Sequence, residues 1–157
     1  MFTKEDLYVI DKLPVFKELY PDTDAAVSRY AELYELYAEK FTAPESFYMF
    51  SAPGRTEIGG NHTDHNHGCV LAGSVNLDSA AIVVPTNDDT VNIYSVGYQR
   101  PFKVNIKNTK PVESEKETTV ALVRGIATRF KELGYKTGGF NAYISSTVKR
   151  GSGLSSS

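Results

Sequence analysis

The sequence contains a single cysteine, Cys69, among its 157 residues. One cysteine cannot form a disulfide within the chain, so nothing here indicates an oxidising compartment. The first residues lack the apolar stretch of a secretory signal peptide. No run approaches the roughly 18 consecutive apolar residues that a membrane-spanning helix needs. These absences favour the cytoplasm as the compartment and give no reason to expect a membrane partner.

The chain also lacks an excess of charge of either sign. Its 17 Lys and Arg residues oppose 19 Asp and Glu residues, for a formal net charge of −2. Proteins that bind nucleic acid concentrate positive charge, so this balance predicts no nucleic acid as partner. Hydrophobic residues make up 41% and charged residues 23%, which is ordinary for one folded domain of this length.

Helices are predicted throughout residues 3–41. The second of them begins near Asp22–Asp24, and apolar residues recur in it at helical spacing as far as Phe41. An aromatic stripe on this helix is more typical of a packing surface than of a ligand site. It comprises Tyr30, Tyr34 and Tyr37.

Beyond Pro44 the pattern changes to short strands and loops. A polar, glycine-rich loop is predicted over residues 52–68, and a helix over residues 118–133 ends at Gly134. Strands that precede and follow a helix indicate an α+β or α/β fold. The predicted strands are residues 47–50, 69–72, 79–84, 90–96, 102–106 and 138–148.

The first segment that carries chemistry is residues 54–68. Its Arg55 can form a planar, bidentate contact with a carboxylate or phosphate, and its Asp64 can accept hydrogen bonds from sugar hydroxyls. Such a segment is also compatible with a solvated loop. A metal site is a further alternative, although no cysteine pair or known zinc spacing supports it. Its ligands would be His62, Asp64, His65 and His67.

The second segment is Gly151–Ser157. Glycines that lead into a run of serines can begin a helix whose unpaired N–H groups face an anion, and serine hydroxyls can contact phosphate or Mg²⁺. No Gly-Lys-Ser/Thr follows, so this is not a Walker loop. A short Gly/Ser string is by itself equally typical of a frayed end or a linker.

Together the two segments resemble the motifs of the galactokinase family within the GHMP kinases. Ala52–Arg55 followed by Gly60–Asp64 is similar to the galactokinase signature, whose usual form is A-P-G-R-x-N-x-I-G-E-H-x-D-Y. Gly151–Ser157 is similar to the GHMP phosphate motif, usually P-x-G-x-G-L-S-S-S-A, and the order along the chain agrees. The resemblance covers residues 48–157, whereas residues 1–40 differ from the short N-terminal arm of the family.

The resemblance implies an α+β fold, the GHMP-kinase N-terminal domain, with a mixed sheet backed by helices. This is the sandwich of domain 2 of ribosomal protein S5, here incomplete and with extra N-terminal helices. We expect residues 1–43 to form a helical extension and residues 44–157 a partial N-terminal domain, with the C-terminal domain absent. The catalytic aspartate of the family lies beyond these motifs. We therefore expect a truncated polypeptide or part of a longer one, inactive in isolation and with exposed apolar surface.

The implied activity is phosphoryl transfer from MgATP to the anomeric hydroxyl of galactose, which depends on positioning and charge neutralisation. In the family, the arginine at the position of Arg55 lies near the transferred phosphoryl group and stabilises its charge. Asn61, His62 and Asp64 match positions near the sugar. The residues that match the ATP-phosphate loop are Gly151, Ser152, Gly153, Leu154, Ser155 and Ser156, with Ser155 assigned to Mg²⁺.

Two departures from the signature concern the sugar. Asn61 stands where the family has a glutamate, and Glu57 stands where it has an asparagine. An amide can both donate and accept hydrogen bonds, so recognition of one hydroxyl is expected to change. The alternatives are therefore a GHMP kinase for galacturonate, arabinose or N-acetylgalactosamine, and a sensor that binds sugar and ATP without turnover.

Overall fold

The computed structural model describes residues 1–60, 66–149 and 151, which form one β-sheet with helices on both faces. The helices are α1 (Lys4–Leu7), α2 (Pro14–Leu19), α3 (Thr23–Lys40) and α4 (Thr119–Glu132), with short 3-10 helices at Ile10–Lys12 and Glu113–Glu115. The strands are β1 (Tyr48–Gly59), β2 (Leu71–Pro85), β3 (Thr90–Ser95), β4 (Phe102–Asn105) and β5 (Phe140–Ser146). None of the helices in these ranges is long and apolar enough to cross a membrane.

The strand order in the sheet is β1-β2-β5-β3-β4. β2 pairs antiparallel with β1 and with β5, β3 pairs antiparallel with β4, and β3 pairs parallel with β5. The parallel pair is joined through β4 and α4, because parallel neighbours need a long crossover connection. This mixed sheet with helices confirms the α+β fold that the resemblance implied.

Helix α3 covers one face of the sheet. The Asp22 side chain caps its first turn by accepting a hydrogen bond from the N–H of Ala25 at 2.9 Å. The predicted aromatic stripe is a packing surface, since Tyr30, Tyr34 and Tyr37 are all buried there. Helices α1 and α2 join the same core, whose sheet residues include Phe47, Ala80, Ile82 and Tyr143. The extra N-terminal helices therefore pack on this sheet.

Helix α4 covers part of the opposite face. Thr118 caps it, and Gly134 follows it with a φ of +82°, a conformation that favours glycine. Successive side chains of a strand point to opposite faces. Accordingly, Ile93 packs towards α4 whereas Tyr94 packs towards the N-terminal helices. The core under α4 is built on Val91, Val104 and Ile106.

Large apolar side chains remain exposed on the α4 side of the sheet. Tyr48 is 41% and Phe50 is 54% exposed on β1, and Ile126 is 51% exposed on α4. Two adjoining grooves of ≈ 310 and ≈ 330 Å³ share Gly138 and Phe140. This surface agrees with the expectation of exposed apolar area.

The loop predicted for residues 52–68 is wrong over residues 52–59, which belong to β1. The two short strands expected at 69–72 and 79–84 are likewise one continuous strand, β2. The physical reason is non-local, because β1 and β2 pair along most of their length and the backbone hydrogen bonds outweigh the polar, glycine-rich composition. Gly60 follows β1 with a φ of +101°, and a Cβ there would lie 2.5 Å from the carbonyl oxygen of Cys69.

We expect Gly139→Ala to destabilise the fold. A Cβ at this position would lie 2.5 Å from both Asp88 Oδ1 and the Thr90 carbonyl oxygen. Overpacking of this kind costs about 1–3 kcal/mol. The adjacent Gly138→Ala is the matched control, because a Cβ at Gly138 has no atom within 4 Å. The measurement is the free energy of unfolding in urea, and equal values for the two variants would contradict the prediction.

Candidate functional site

The strands that lead to the two segments singled out by the sequence flank β2 on its two sides. Ser79 of β2 lies opposite Ala52 of β1 on one side and opposite Ser146 of β5 on the other. β1 and β5 are both antiparallel to β2, so they run in the same direction. The chain towards Arg55 and the chain towards Gly151 therefore pass the same point on either side of β2.

A register shift separates Arg55 from the regular part of β1. Pro53 lies opposite Asp78, whereas Arg55 lies opposite Ser74, so one residue of β1, Gly54, faces the longer stretch 75–77 of β2. Irregularities of this kind bend a strand and redirect the side chains that follow, and they are frequent beside functional sites. Gly54 is buried at this bend, and Arg55 directly after it is exposed.

Arg55 presents its guanidinium to solvent. Within the described ranges its side chain takes part in no ion pair and in no side-chain hydrogen bond. An exposed arginine without an internal partner keeps its five N–H donors for a ligand. The position is thus suited to an anionic group such as a phosphate.

The structure describes two of the predicted site residues, Arg55 and Gly151. Gly151 has a φ of +72°, which favours glycine and fits a tight turn after β5. The other predicted positions lie outside the described residues and stay predictions. They are Asn61, His62, Asp64, Ser152, Gly153, Leu154, Ser155 and Ser156.

Asp78 is the feature of this edge that the sequence analysis missed. It is a charged residue that is 7% exposed in β2. Its carboxylate accepts hydrogen bonds from Ser51 Oγ at 2.6 Å, from the Tyr20 hydroxyl at 2.8 Å and from the guanidinium of Arg29, with which it forms an ion pair. These partners come from β1, from the end of α2 and from α3.

Backbone groups extend this network to β5. The N–H of Asp78 donates to Thr147 Oγ1 at 3.0 Å, and the Asp78 carbonyl oxygen accepts from the N–H of Thr147 at 2.9 Å. Arg29 Nη2 donates to the Ser145 carbonyl oxygen at 2.6 Å. Residues of β1, of α3 and of the end of β5 therefore meet around Asp78 and its partner Arg29.

The ionisation of Asp78 follows from these contacts. Burial by itself raises the pKa of its carboxyl, but hydrogen bonds from Ser51, Arg29 and Tyr20 and the positive charge of Arg29 outweigh burial. The pKa of Asp78 therefore lies below its ordinary value. Burial also raises the pKa of Tyr30 well above its usual range, so this phenol keeps its proton and donates to the Phe50 carbonyl oxygen at 3.0 Å.

One signal in the sequence could have revealed this pair. Arg29 occupies the apolar face of α3, three residues after the buried Ala26 and four before the buried Leu33. Asp78 stands likewise beside the apolar run of β2. A charged side chain on a face that must be buried requires a partner of opposite sign. The positions of Arg29 and Asp78 in apolar surroundings therefore predict that the two form an ion pair.

A cavity of ≈ 550 Å³ lies elsewhere, between the loop at 109–117 and α4, and neither Arg55 nor Gly151 lines it. One of its walls is the Arg124–Glu115 ion pair, in which Arg124 Nε and Nη2 donate to the carboxylate at 2.7 and 2.6 Å. Arg124 Nη1 also donates to the carbonyl oxygens of Asn105 and Asn108, so this arginine fixes the loop on α4.

The metal site suggested by the histidines stays a prediction. Among the described residues, no group of three or more His, Cys, Asp or Glu side chains is placed to hold a metal ion. Three of the four hypothetical ligands, His62, Asp64 and His65, lie outside those residues. His67 is described, with a φ of +63° in the loop between β1 and β2.

Comparison with known proteins relates this chain to sugar kinases. A family model described as the galactokinase galactose-binding signature matches residues 35–85. Galactokinase from Limosilactobacillus reuteri strain DSM 20016 is 34% identical over 127 residues, which are 77% of this chain and 32% of that protein. The chain thus spans about a third of the length of the curated relatives it matches.

Solved structures agree with this relation. The crystal structure of Lactococcus lactis galactokinase complexed with galactose matches with a TM-score of 0.72 and 27% identity, covering 82% of this chain and 33% of the other. The mevalonate kinase of Methanococcus jannaschii matches with a TM-score of 0.52 and 17% identity over 69% of this chain and 35% of its own. The second match indicates the fold alone.

We expect Arg55→Ala to leave stability unchanged within about 0.5 kcal/mol, as for exposed side chains without internal contacts. The measurement is the free energy of unfolding in urea. Arg129→Ala is the matched control, since Arg129 is 67% exposed and pairs only with the nearby exposed Glu132 among described residues. A loss above 1 kcal/mol for Arg55→Ala alone would show that this side chain supports the fold.

We expect Asp78→Asn to lower the free energy of unfolding by about 3 kcal/mol at neutral pH, because Arg29 loses its partner. A carboxyl whose pKa is depressed in the folded state stabilises the protein above its unfolded pKa and loses this contribution as pH falls through the folded value. The difference between wild type and variant is therefore constant down to about pH 4.5 and shrinks below the ordinary value of 3.8. Urea titrations at several pH values measure it, and a difference independent of pH would refute the assignment.

Proposed function

The chain belongs to the galactokinase family of GHMP kinases, and we propose from this that it binds the sugar and the ATP phosphates in a kinase that phosphorylates galactose. The reaction transfers the terminal phosphoryl group of ATP to the anomeric hydroxyl. The observation that carries the proposal is the match of residues 35–85 to the galactose-binding signature, whose strand contains Arg55. Cytoplasm remains the predicted compartment.

The sheet geometry supports a shared site. β1 carries the signature and β5 leads to the Gly/Ser segment, and the two flank β2 at Ser79. Arg55 comes three residues after Ala52 and Gly151 five residues after Ser146, so phosphates bound beside Gly151 would lie on the side of this level where Arg55 lies. Phosphoryl transfer requires this proximity, because most of its acceleration comes from positioning and charge stabilisation.

Arg55 is the residue that we assign to charge stabilisation. Its exposed guanidinium follows the bend at Gly54 and faces no internal carboxylate among the described residues. A fixed cation next to the transferred group stabilises the charge that develops on the phosphoryl oxygens. It also favours the ionised form of a neighbouring carboxylate base.

Sugar recognition is assigned to the segment after β1. Asp64 accepts hydrogen bonds from sugar hydroxyls, and His62 and Asn61 complete the contacts. The amide of Asn61 both donates and accepts, unlike the glutamate of the usual signature, so the preferred sugar depends on this position. A related sugar such as galacturonate, arabinose or N-acetylgalactosamine is the second candidate, and the Asn61 and Glu57 departures favour it.

The nucleotide contacts are assigned to residues 151–156. Backbone N–H groups of a glycine-rich turn that begins a helix attract phosphate oxygens. Gly151 already has the left-handed conformation that such a turn needs. We assign Mg²⁺ to Ser155, because hydroxyl oxygens are hard ligands of the kind this ion prefers. When bound, Mg²⁺ neutralises charge on the ATP phosphates.

In the proposed step the anomeric oxygen attacks the terminal phosphorus of ATP, and the bond between that phosphorus and the bridging oxygen breaks. ADP leaves with the bridging oxygen, and the hydroxyl proton goes to a carboxylate base. The family's catalytic aspartate, which lies beyond the motifs of this chain, would be that base. The described residues contribute the cation at Arg55 and the frame that holds both segments.

The test is ADP release by the full-length protein with MgATP and single sugars. The panel is galactose, glucose, galacturonate, arabinose and N-acetylgalactosamine. We expect galactose to give the highest kcat/KM, and Arg55→Ala to reduce kcat by about 100- to 1,000-fold, as for loss of one charge-stabilising donor. Arg129→Ala is the matched control and is expected to keep wild-type activity.

Each of the other outcomes supports a different function. Turnover driven mainly by another sugar supports a kinase of this family whose sugar preference is changed by Asn61 and Glu57. Binding of sugar and ATP without ADP release supports a sensor. Stoichiometric zinc in the purified protein, lost in His67→Ala, supports the metal module instead.

A further inference from the structure

Asp78 stands where the regular part of the sheet ends. β1 keeps its register with β2 as far as the Pro53–Asp78 pair and then shifts, while β5 pairs with β2 as far as Ser146 opposite Ser79. Beside Asp78, β5 ends, whereas β1 resumes its pairing with β2 after the register shift, at Arg55 opposite Ser74. Arg55 thus follows the shift on one side of β2, and Gly151 follows the end of β5 on the other.

Asp78 forms hydrogen bonds with both segments that flank β2 at this level. On the β1 side its carboxylate accepts from Ser51, four residues before Arg55. On the β5 side its backbone exchanges hydrogen bonds with Thr147, four residues before Gly151. The Thr147 hydroxyl accepts from the Asp78 N–H at 3.0 Å and donates to the Asp78 carbonyl oxygen at 3.1 Å.

Arg29 of α3 contacts Asp78 and the end of β5 from the face of the sheet that this helix covers. Its Nη1 bonds the Asp78 carboxylate, and its Nη2 reaches the Ser145 carbonyl oxygen at 2.6 Å and the Asp78 carbonyl oxygen at 3.3 Å. A planar fork can make these contacts together, which the point charge of a lysine cannot.

Stability alone is a poor reason for this arrangement. The Arg29 and Asp78 side chains are 18% and 10% exposed, so both have lost most of their hydration. Well-packed apolar residues often stabilise a fold as much as a buried ion pair does. What apolar residues cannot supply is the fixed direction of several hydrogen bonds to three strands.

We propose that Arg29, Asp78 and Thr147 are positioning residues that fix the separation between the signature strand and the Gly/Ser segment. The inference rests on the proposed kinase function. It means that the N-terminal helices, through Arg29, take part in aligning the sugar with the ATP phosphates. None of the three residues needs to touch a substrate.

The test uses substitutions at Thr147 in the full-length protein. Thr147→Val keeps the side-chain shape but removes the hydroxyl, whereas Thr147→Ser keeps the hydroxyl. Ser79→Ala is the matched control, because Ser79 Oγ also joins β2 to β5, bonding Ser146 Oγ at 2.9 Å in an exposed position. Arg29→Lys tests the contacts of the guanidinium, because it keeps the positive charge but removes the planar fork.

Thr147→Val and Arg29→Lys are expected to lower kcat about 10- to 100-fold, the effect of small misplacements, while KM for galactose and for ATP changes less than about threefold. Thr147→Ser and Ser79→Ala are expected to keep wild-type kcat. All assays run below the melting temperature of each variant. Unchanged kcat in folded Thr147→Val, or an equal loss in Ser79→Ala, would overturn the proposal.

Hydrogen exchange gives a readout that does not depend on turnover. Thr147→Val is expected to speed amide exchange both at residues 147–151 and at residues 53–57, on the other side of β2. Faster exchange at residues 147–151 alone would refute the coupling. If the wild-type protein turns over none of the sugars, the proposed function is refuted. The hydrogen-exchange result then decides by itself whether Thr147 couples the two segments.

Discussion

The ion pair between Arg29 and Asp78 is the interaction on which the arrangement of this domain depends. Helix α3 can bury its tyrosine face only if the charge on that face has a partner, and the sheet offers one at Asp78. The pair therefore sets where α3 lies over β2. The carboxylate of Asp78 also accepts from Ser51 of β1 and from the Tyr20 hydroxyl, which in turn bonds the hydroxyl of Tyr30. The backbone of Asp78 bonds Thr147, which follows β5.

The sequence predicted well what depends on neighbouring residues. Helix α3 with its start near Asp22, helix α4 with its end at Gly134, and strands β3 and β4 follow from local periodicity and helix-end signals. The extension of β1 to Gly59 did not follow, because only pairing with a distant strand keeps polar, glycine-rich residues extended. Arg55 was singled out through its motif, and its role stays a prediction. Asp78 was missed because its partners are scattered along the chain.

The site edge illustrates how a sheet can bring distant motifs together. Two strands that flank a third and run in the same direction pass the same level of the sheet without any contact between them, as β1 and β5 do at Ser79. The register shift at Gly54 then turns Arg55 away from the regular ladder. Segments that a rigid scaffold positions vary more in sequence than the scaffold does, and the departures at Asn61 and Glu57 from the usual signature accord with this.

The reach of Arg29 has a consequence for the order in which the protein folds during synthesis. Its contact with the Ser145 carbonyl oxygen spans 116 positions of the chain. The ribosome therefore releases α3 long before the last acceptor of its arginine exists, and non-local contacts of this kind slow folding. Until β5 emerges, the tyrosine face of α3 has no complete surface to cover. A nascent chain of this domain therefore exposes apolar surface until β5 pairs with β2.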